Sequence, residues 1–148
     1  MPLKWSCRSC TLSSFQVVPL VVGDAAPEDV AYLLDQLWGG PETLIVVSSD
    51  LSHYHSYEIA QRLDLETAQA IEEGDWLRLG STNACGWLAV AGLLKETHRR
   101  GLEASRLSLC NSRDTAGSRE RVVGYGAWRF SERHHRLQAK PTPAGQTI

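Results

Sequence analysis

The chain has 148 residues, 43% hydrophobic and 22% charged, with a formal net charge of −2. That is enough for one globular domain with its own core, and the charge balance gives no electrostatic case for nucleic acid. No apolar run can span a membrane, the N-terminus lacks the apolar stretch of a signal peptide, and four irregularly spaced cysteines do not form a disulfide framework; the expectation is a cytoplasmic protein with reduced thiols.

In chain order, Phe15 to Val22 reads as a buried strand. Asp24-Ala25-Ala26-Pro27 opens a helix, with Pro27 near its first position. Val30, Leu33, Leu34 and Leu37 follow at helical spacing, and Gly39-Gly40-Pro41 stops it. Thr43 to Val47 is the next strand. Tyr57 to Leu63 reads as helix, Asp64 as the cap of a second piece from Leu65 to Glu73, and Gly74 as its end. Trp76, Leu77 and Leu79 suggest a short amphipathic turn. Ala84 to Arg100 reads as a buried helix through Leu88, Ala91, Leu93 and Leu94, closed by Gly101. Leu107 to Cys110 and Val122 to Phe130 are the last strands, with a polar loop over Asn111 to Arg119 between them. The alternation predicts an α/β fold with a mainly parallel or mixed sheet flanked by helices.

One segment concentrates the chemistry. In Leu44-Ile45-Val46-Val47-Ser48-Ser49-Asp50-Leu51-Ser52-His53-Tyr54 an apolar run ends in small polar residues, then a carboxylate and an imidazole three positions apart. Four apolar residues in a row fit a strand buried on both faces, and ligands gather past the carboxyl ends of such strands. Asp50 and His53 stand there, and such a pair can bind a metal or move a proton. A second loop, Ser81-Thr82-Asn83-Ala84-Cys85-Gly86, runs into a helix. With Asn83 or Thr82 as the N-cap, Cys85 falls in the first helical turn, where the dipole favours a thiolate.

These residues carry a resemblance. Ser48 to Tyr54, then Asn83-Ala84-Cys85-Gly86, then Arg121-Val122-Val123-Gly124-Tyr125-Gly126-Ala127 are similar to the Memo family, also called AmmeMemoRadiSam system protein B, in the family's order. Phe15 to Asp24 fits as well, so the resemblance runs from about Ser14 to Phe130. It implies a fold similar to class III extradiol dioxygenases and a non-haem metal centre. Carried over residue by residue, the site is Asp50, His53 and Cys85 as metal ligands or catalytic groups. Iron is the implied cofactor, with copper or zinc as alternatives for the same donors. Two further histidines belong to the family's N-terminal half, which this chain does not match; its first histidine is His53. Residues 1–13 do not resemble the family. Their codons are compatible, one base out of frame, with its His-Ser/Ala-x-Glu-x-x-Leu-Pro-Phe segment, so the expectation is a frame-shifted leader. Residues 14–130 are then the C-terminal part of a Memo-like domain. Residues 131–148, basic and Pro-containing, read as a disordered tail.

Each residue also has a plainer reading. Asp50 alone suits a turn cap, His53 a packed histidine at the sheet end, and Cys85 a small buried hydrophobe. The family motifs move all three toward a site. Ser48, Ser49 and Ser52 read as turn donors, since no Gly-x-Ser-x-Gly elbow surrounds them. Tyr54 and His55 line the pocket or fill the loop. Trp87 is near enough to Cys85 to wall a pocket, and Cys110 reads as strand core. Cys7 and Cys10 form a lone C-x-x-C with no second ligand pair. Three functions compete: a metal-dependent redox or oxygenase-like protein acting on a small molecule, an adaptor binding peptides, and an inactive remnant. An incomplete sheet would favour a complementing N-terminal fragment or self-association.

Overall fold

A computed structural model of the chain describes residues 15–115 and 120–132. The elements are α1 (Pro27–Leu37), β1 (His53–His55), α2 (Tyr57–Glu73), a single 3-10 turn (Trp76–Arg78), α3 (Trp87–Arg99), β2 (Leu102–Asn111), the short α4 (Ser112–Thr115) and β3 (Val122–Glu132). They form a mixed α/β structure in which helices flank a small sheet of order β1-β3-β2. The frame-shifted leader, Cys7 and Cys10, and the tail beyond Glu132 lie outside the described residues.

Local chemistry accounts for the helices. Pro27 begins α1 as expected, and Asp29 turns back so that its carboxylate accepts the Ala26 N–H at 3.1 Å. Gly39, at φ 63°, lets the chain leave after Trp38. Gly74, at φ 70°, closes α2 in the left-handed conformation. The α2 region was expected in two pieces, with Asp64 as a cap. It is one continuous helix, because Asp64 faces inward and meets a tertiary partner. The α3 region was expected to start at Ala84; it starts at Trp87, with Gly86 as N-cap.

Helix α3 is the centre of the packing. Ala91 and Leu94 join Ala70, Ile71 and Leu79, with Ala104, Trp128 and Phe130 of the sheet against them. Its Leu93 instead meets Val30 and Leu34 of α1, together with Ile45 and Val47. Each buried leucine, isoleucine or valine among these contributes about 1.5–3 kcal/mol by leaving water. Gly92 allows the α1–α3 approach, since a Cβ there would lie 2.4 Å from a Val30 methyl. At the other end of α3, Arg99 and Arg100 both bridge Glu96 to Asp35 of α1. Glu96 is almost fully buried. The Arg99 hydrogen bond, with help from Arg100, holds its carboxyl below the usual range against the opposing effect of burial.

The sheet differs from expectation. It was expected to be mainly parallel or mixed and to contain Phe15–Val22 and Thr43–Val47. Among the described residues it is antiparallel throughout, with β2 and β3 paired from Leu102↔Glu132 to Asn111↔Gly124. Neither expected strand joins it. The reason is a missing neighbour: among the described residues, no backbone–backbone hydrogen bond involves residues 15–25 or 44–49. Strand β2 begins earlier than expected and β3 runs on through Glu132. Part of the expected loop after Cys110 is α4.

Replacing Glu96 with Ala removes the acceptor shared by two arginines, so a loss of roughly 1–3 kcal/mol is expected in urea unfolding at neutral pH. Because the folded carboxyl titrates below its unfolded value, this contribution is present above the ordinary Glu range and fades as pH falls through the folded value. A parent–variant difference that does not shrink on acidification would contradict the assignment.

Candidate metal centre

The site is built where the Leu44–Ser49 segment ends. Burial alternates along it, with Ile45, Val47 and Ser49 inward and Leu44, Val46 and Ser48 outward. Ile45 and Val47 pack on the α1–α3 cluster, which anchors the approach to Asp50. The next residues are held from two sides. From β3, the Gly124 carbonyl accepts the Leu51 N–H and the Gly124 N–H donates to the Ser52 carbonyl, both at 2.9 Å. From α2, the Asp64 carboxylate accepts the Ser52 N–H at 3.0 Å.

His53 then pairs with Val123 and His55 with Val122, leaving Tyr54 as an extra residue between them. Tyr54 sits at φ 61°, in the left-handed region that non-glycine residues rarely occupy. Such a bulge bends the strand and re-aims its side chains. The Arg121 guanidinium lies 4.8 Å from the centre of the exposed Tyr54 ring, a cation–π contact that steadies the bulge. His53 Nε2 stands 3.4 Å from Asp50 Oδ2, with the two side chains 31% and 50% exposed.

Cys85 arrives on a turn preceding α3. It was expected in the first helical turn with Asn83 or Thr82 as cap. Instead Asn83 closes the preceding turn, its Oδ1 accepting the Gly80 N–H at 2.9 Å and its Nδ2 donating to Thr67 Oγ1 at 3.1 Å. The Cys85 position is therefore set by the loop it touches. Its N–H donates to the Asp50 carbonyl at 3.3 Å. Ser49 Oγ donates to that same carbonyl at 2.8 Å, accepts the Gly86 N–H at 2.9 Å and lies 3.6 Å from Cys85 Sγ. A Cβ on Gly86 would come within 3.0 Å of Ser49, so glycine permits this approach.

The structure thus brings together Asp50, His53 and Cys85, with one donor atom of each within 4.8 Å of the others. Donors around a tetrahedral ion with bonds of about 2.0–2.3 Å stand roughly 3.3–3.8 Å apart. The His53–Asp50 separation falls in that range, and all three donor atoms lie within 4.8 Å of one another. Imidazole, carboxylate and thiol together suit iron, zinc or copper. The residues fit a metal.

Other expected residues divide. Ser49 is a turn donor, as read from the sequence. Trp87 packs against the α2–α3 core cluster. His55 is half-buried in β1 and Cys110 half-buried in β2. Two residues that carry the site were missed. Asp64 is only 3% exposed, and burial pushes its carboxyl up against the opposing effect of the hydrogen bond from the Ser52 backbone N–H and of nearby His55 and His53. Gly124 was noted as part of a motif without a role; a Cβ there would lie 2.0 Å from Asp64 Oδ2. A signal for Asp64 existed. It shares the apolar face of α2 with Ala60, Thr67, Ala68 and Ile71, where an unpaired carboxylate costs too much to be incidental.

An α/β chain that gathers Asp, His and Cys past an apolar segment defines a class of candidate metal-site proteins. A family model described as Memo-like protein matches residues 6–129, ahead of the boundary at Ser14 read from sequence. A MEMO1 family protein of Saccharolobus solfataricus is 30% identical over 129 residues, covering 79% of this chain and 45% of that relative. A MEMO1 family protein of Aeropyrum pernix is 32% identical over 127 residues, covering 78% and 45%. The chain belongs to the Memo-like family, as its motifs implied, and spans about half the length of the curated relatives it matches. Among the described residues no helix is long and apolar enough to cross a membrane.

Asp64→Asn keeps an acceptor for the Ser52 N–H and removes the charge. With its pKa raised in the folded chain, Asp64 contributes stability that is present below the ordinary Asp range and lost as pH rises through the folded value. The Asn variant is therefore expected to gain stability relative to the parent as pH rises above the ordinary Asp range, read by urea unfolding. A parent–variant difference independent of pH would contradict this. Gly124→Ala forces the Asp64 carboxylate aside and is expected to destabilise by roughly 1–3 kcal/mol; an unchanged unfolding midpoint would show that the contact is dispensable.

Proposed function

We propose that this Memo-like chain binds one transition-metal ion through Asp50, His53 and Cys85, with iron(II) as the ion and a redox or dioxygenase-like reaction on a small molecule as its use. The observation that carries the reading is the convergence of the three donor atoms from two separate loops. Supporting it, the carboxylate and imidazole remain partly open to solvent, as a site that must admit a substrate requires. A fold related to class III extradiol dioxygenases is part of this reading and follows from the family resemblance.

A bound ion would supply a Lewis-acidic, redox-active centre. The chain's own residues do the rest. Ser49 fixes the Cys85 turn through the Gly86 N–H and keeps its hydroxyl beside the thiol. Asp50 and His53 stand side by side, with Oδ2 and Nε2 close enough to face one ion between them. Asp64 and Gly124 keep the loop that carries both from relaxing.

The test is anaerobic titration with iron(II), zinc(II) and copper(I), read by calorimetry and by metal content after gel filtration. One equivalent is expected to remain bound. His53→Ala is expected to lower affinity at least about tenfold, the loss seen even for outer-shell partners of metal ligands, while circular dichroism stays unchanged. Failure to retain any of the three ions, or equal retention by the His53 variant, would remove the proposal.

A further inference from the structure

A cavity of about 340 Å³ lies between α2 and the hairpin of β2 and β3, and none of Asp50, His53 and Cys85 lines it. Small-molecule pockets run from about 300 to 1,000 Å³. The sequence makes this space from two sides. Gln61, Asp64 and Leu65 stand three and four positions apart and share one face of α2. Across from them, Leu109 pairs with Gly126 and Asn111 with Gly124, and directly paired residues point to one side of a sheet. Both partners on β3 are glycines, so β3 contributes no side chain there. The Trp128 ring takes the place of a Gly126 Cβ and the Asp64 carboxylate that of a Gly124 Cβ. The cavity is the volume left beside them.

The chemistry of the lining is one-sided. Among the described residues, the one hydrogen bond to the buried Asp64 carboxylate comes from the Ser52 N–H, and no lysine or arginine pairs with it. Asp114 adds a second carboxylate at the exposed rim, held by the Asn111 N–H at 2.9 Å and the Tyr57 hydroxyl at 3.4 Å. No basic side chain among the described residues lines the space, and Leu65 and Leu109 give it apolar walls. A buried carboxylate ordinarily has a cationic partner. Its lack agrees with the upward push that burial gives the Asp64 carboxyl. A bare metal ion does not meet the need, since among the described residues only Asp50, His53 and Cys85 bring three metal-donor groups together.

We propose that this cavity binds a small protonated amine, whose ammonium group pairs with the Asp64 carboxylate and whose short apolar body lies against Leu65 and Leu109. An ammonium offers three donors on a compact charge, which suits one carboxylate inside and another at the rim. The same Asp64 carboxylate holds the Ser52 N–H between Asp50 and His53, so occupancy of the cavity is felt at the candidate metal centre. The inference does not depend on a bound metal.

The test is run on the full 148-residue chain with a chelator present, at neutral pH, by backbone amide NMR. The probes are n-butylammonium, n-butanol and butyrate, which share a chain length and differ in charge. Butylammonium is expected to shift the amides of Asp64, Leu65 and residues 109–111 saturably, with the Ser52 amide moving alongside. It is expected to bind at least about tenfold more tightly than butanol, the factor that one charge-assisted hydrogen bond supplies, and butyrate is expected not to bind. Asp64→Asn keeps the shape and removes the charge, and is expected to weaken butylammonium at least about tenfold with circular dichroism unchanged. Leu65→Trp, at a wall position 44% exposed, is expected to fill the space and abolish binding. No saturable shift with butylammonium would mean that the cavity holds water only and would overturn the proposal. So would butanol or butyrate binding as tightly, or an affinity undiminished in either variant.

Discussion

A single buried carboxylate, that of Asp64, ties the body of the fold to the candidate site. It sits in the middle of α2, on the face that otherwise buries Ala60, Ala68 and Ile71, and it accepts the N–H of Ser52. Ser52 lies between Asp50 and His53, so fixing its backbone fixes the spacing of both. Burying a carboxylate is costly, and the cost appears as a pKa pushed upward. The close approach is possible only because Gly124 leaves room for the carboxylate, and Gly124 also hydrogen-bonds the loop on both of its peptide groups. Helix, loop and β3 therefore meet at one point, and a change at any of the three is felt by the others.

The Cys85 side is held by a different device. There hydrogen bonds tie two loops distant in sequence: the Asp50 carbonyl collects the Cys85 N–H and the Ser49 hydroxyl, and Ser49 collects the Gly86 N–H. This turn leads directly into α3, whose Leu93 and Leu94 belong to separate apolar clusters. The thiol is thereby referenced to the packing centre of the chain, while the carboxylate and imidazole are referenced to α2 and β3. The donors converge because two independently anchored loops share one carbonyl oxygen. Neither anchor involves a metal, so the three donor atoms stand together without one.

How much of this was legible in the sequence depends on whether the determining contact was local. Pro27, Gly39 and Gly74 act within a few residues of themselves, and the helix boundaries they set were readable. The three motifs were readable as a family pattern, and with them the grouping of Asp50, His53 and Cys85. Asp64 was misjudged because a carboxylate in a helix resembles a cap until its distant partner is known. The bulge at Tyr54 was not readable, because it arises from pairing with Val122 and Val123 almost seventy residues away. The segments 15–22 and 43–47 have the composition of strands, but a strand is defined by its neighbour, and theirs is not among the described residues. The same dependence explains why a sheet read as parallel or mixed is antiparallel here: β2 and β3 find each other across one short connection, whereas a parallel neighbour must come from further away.

The most direct measurement of the central claim is the electronic absorption spectrum of the chain titrated with cobalt(II), for the parent and for Cys85→Ser. The account predicts a near-ultraviolet thiolate-to-cobalt charge-transfer band and intense visible bands of low-symmetry coordination, with the charge-transfer band lost in the serine variant. A spectrum like that of the hydrated ion, or a thiolate band that survives Cys85→Ser, would contradict a centre built on Asp50, His53 and Cys85.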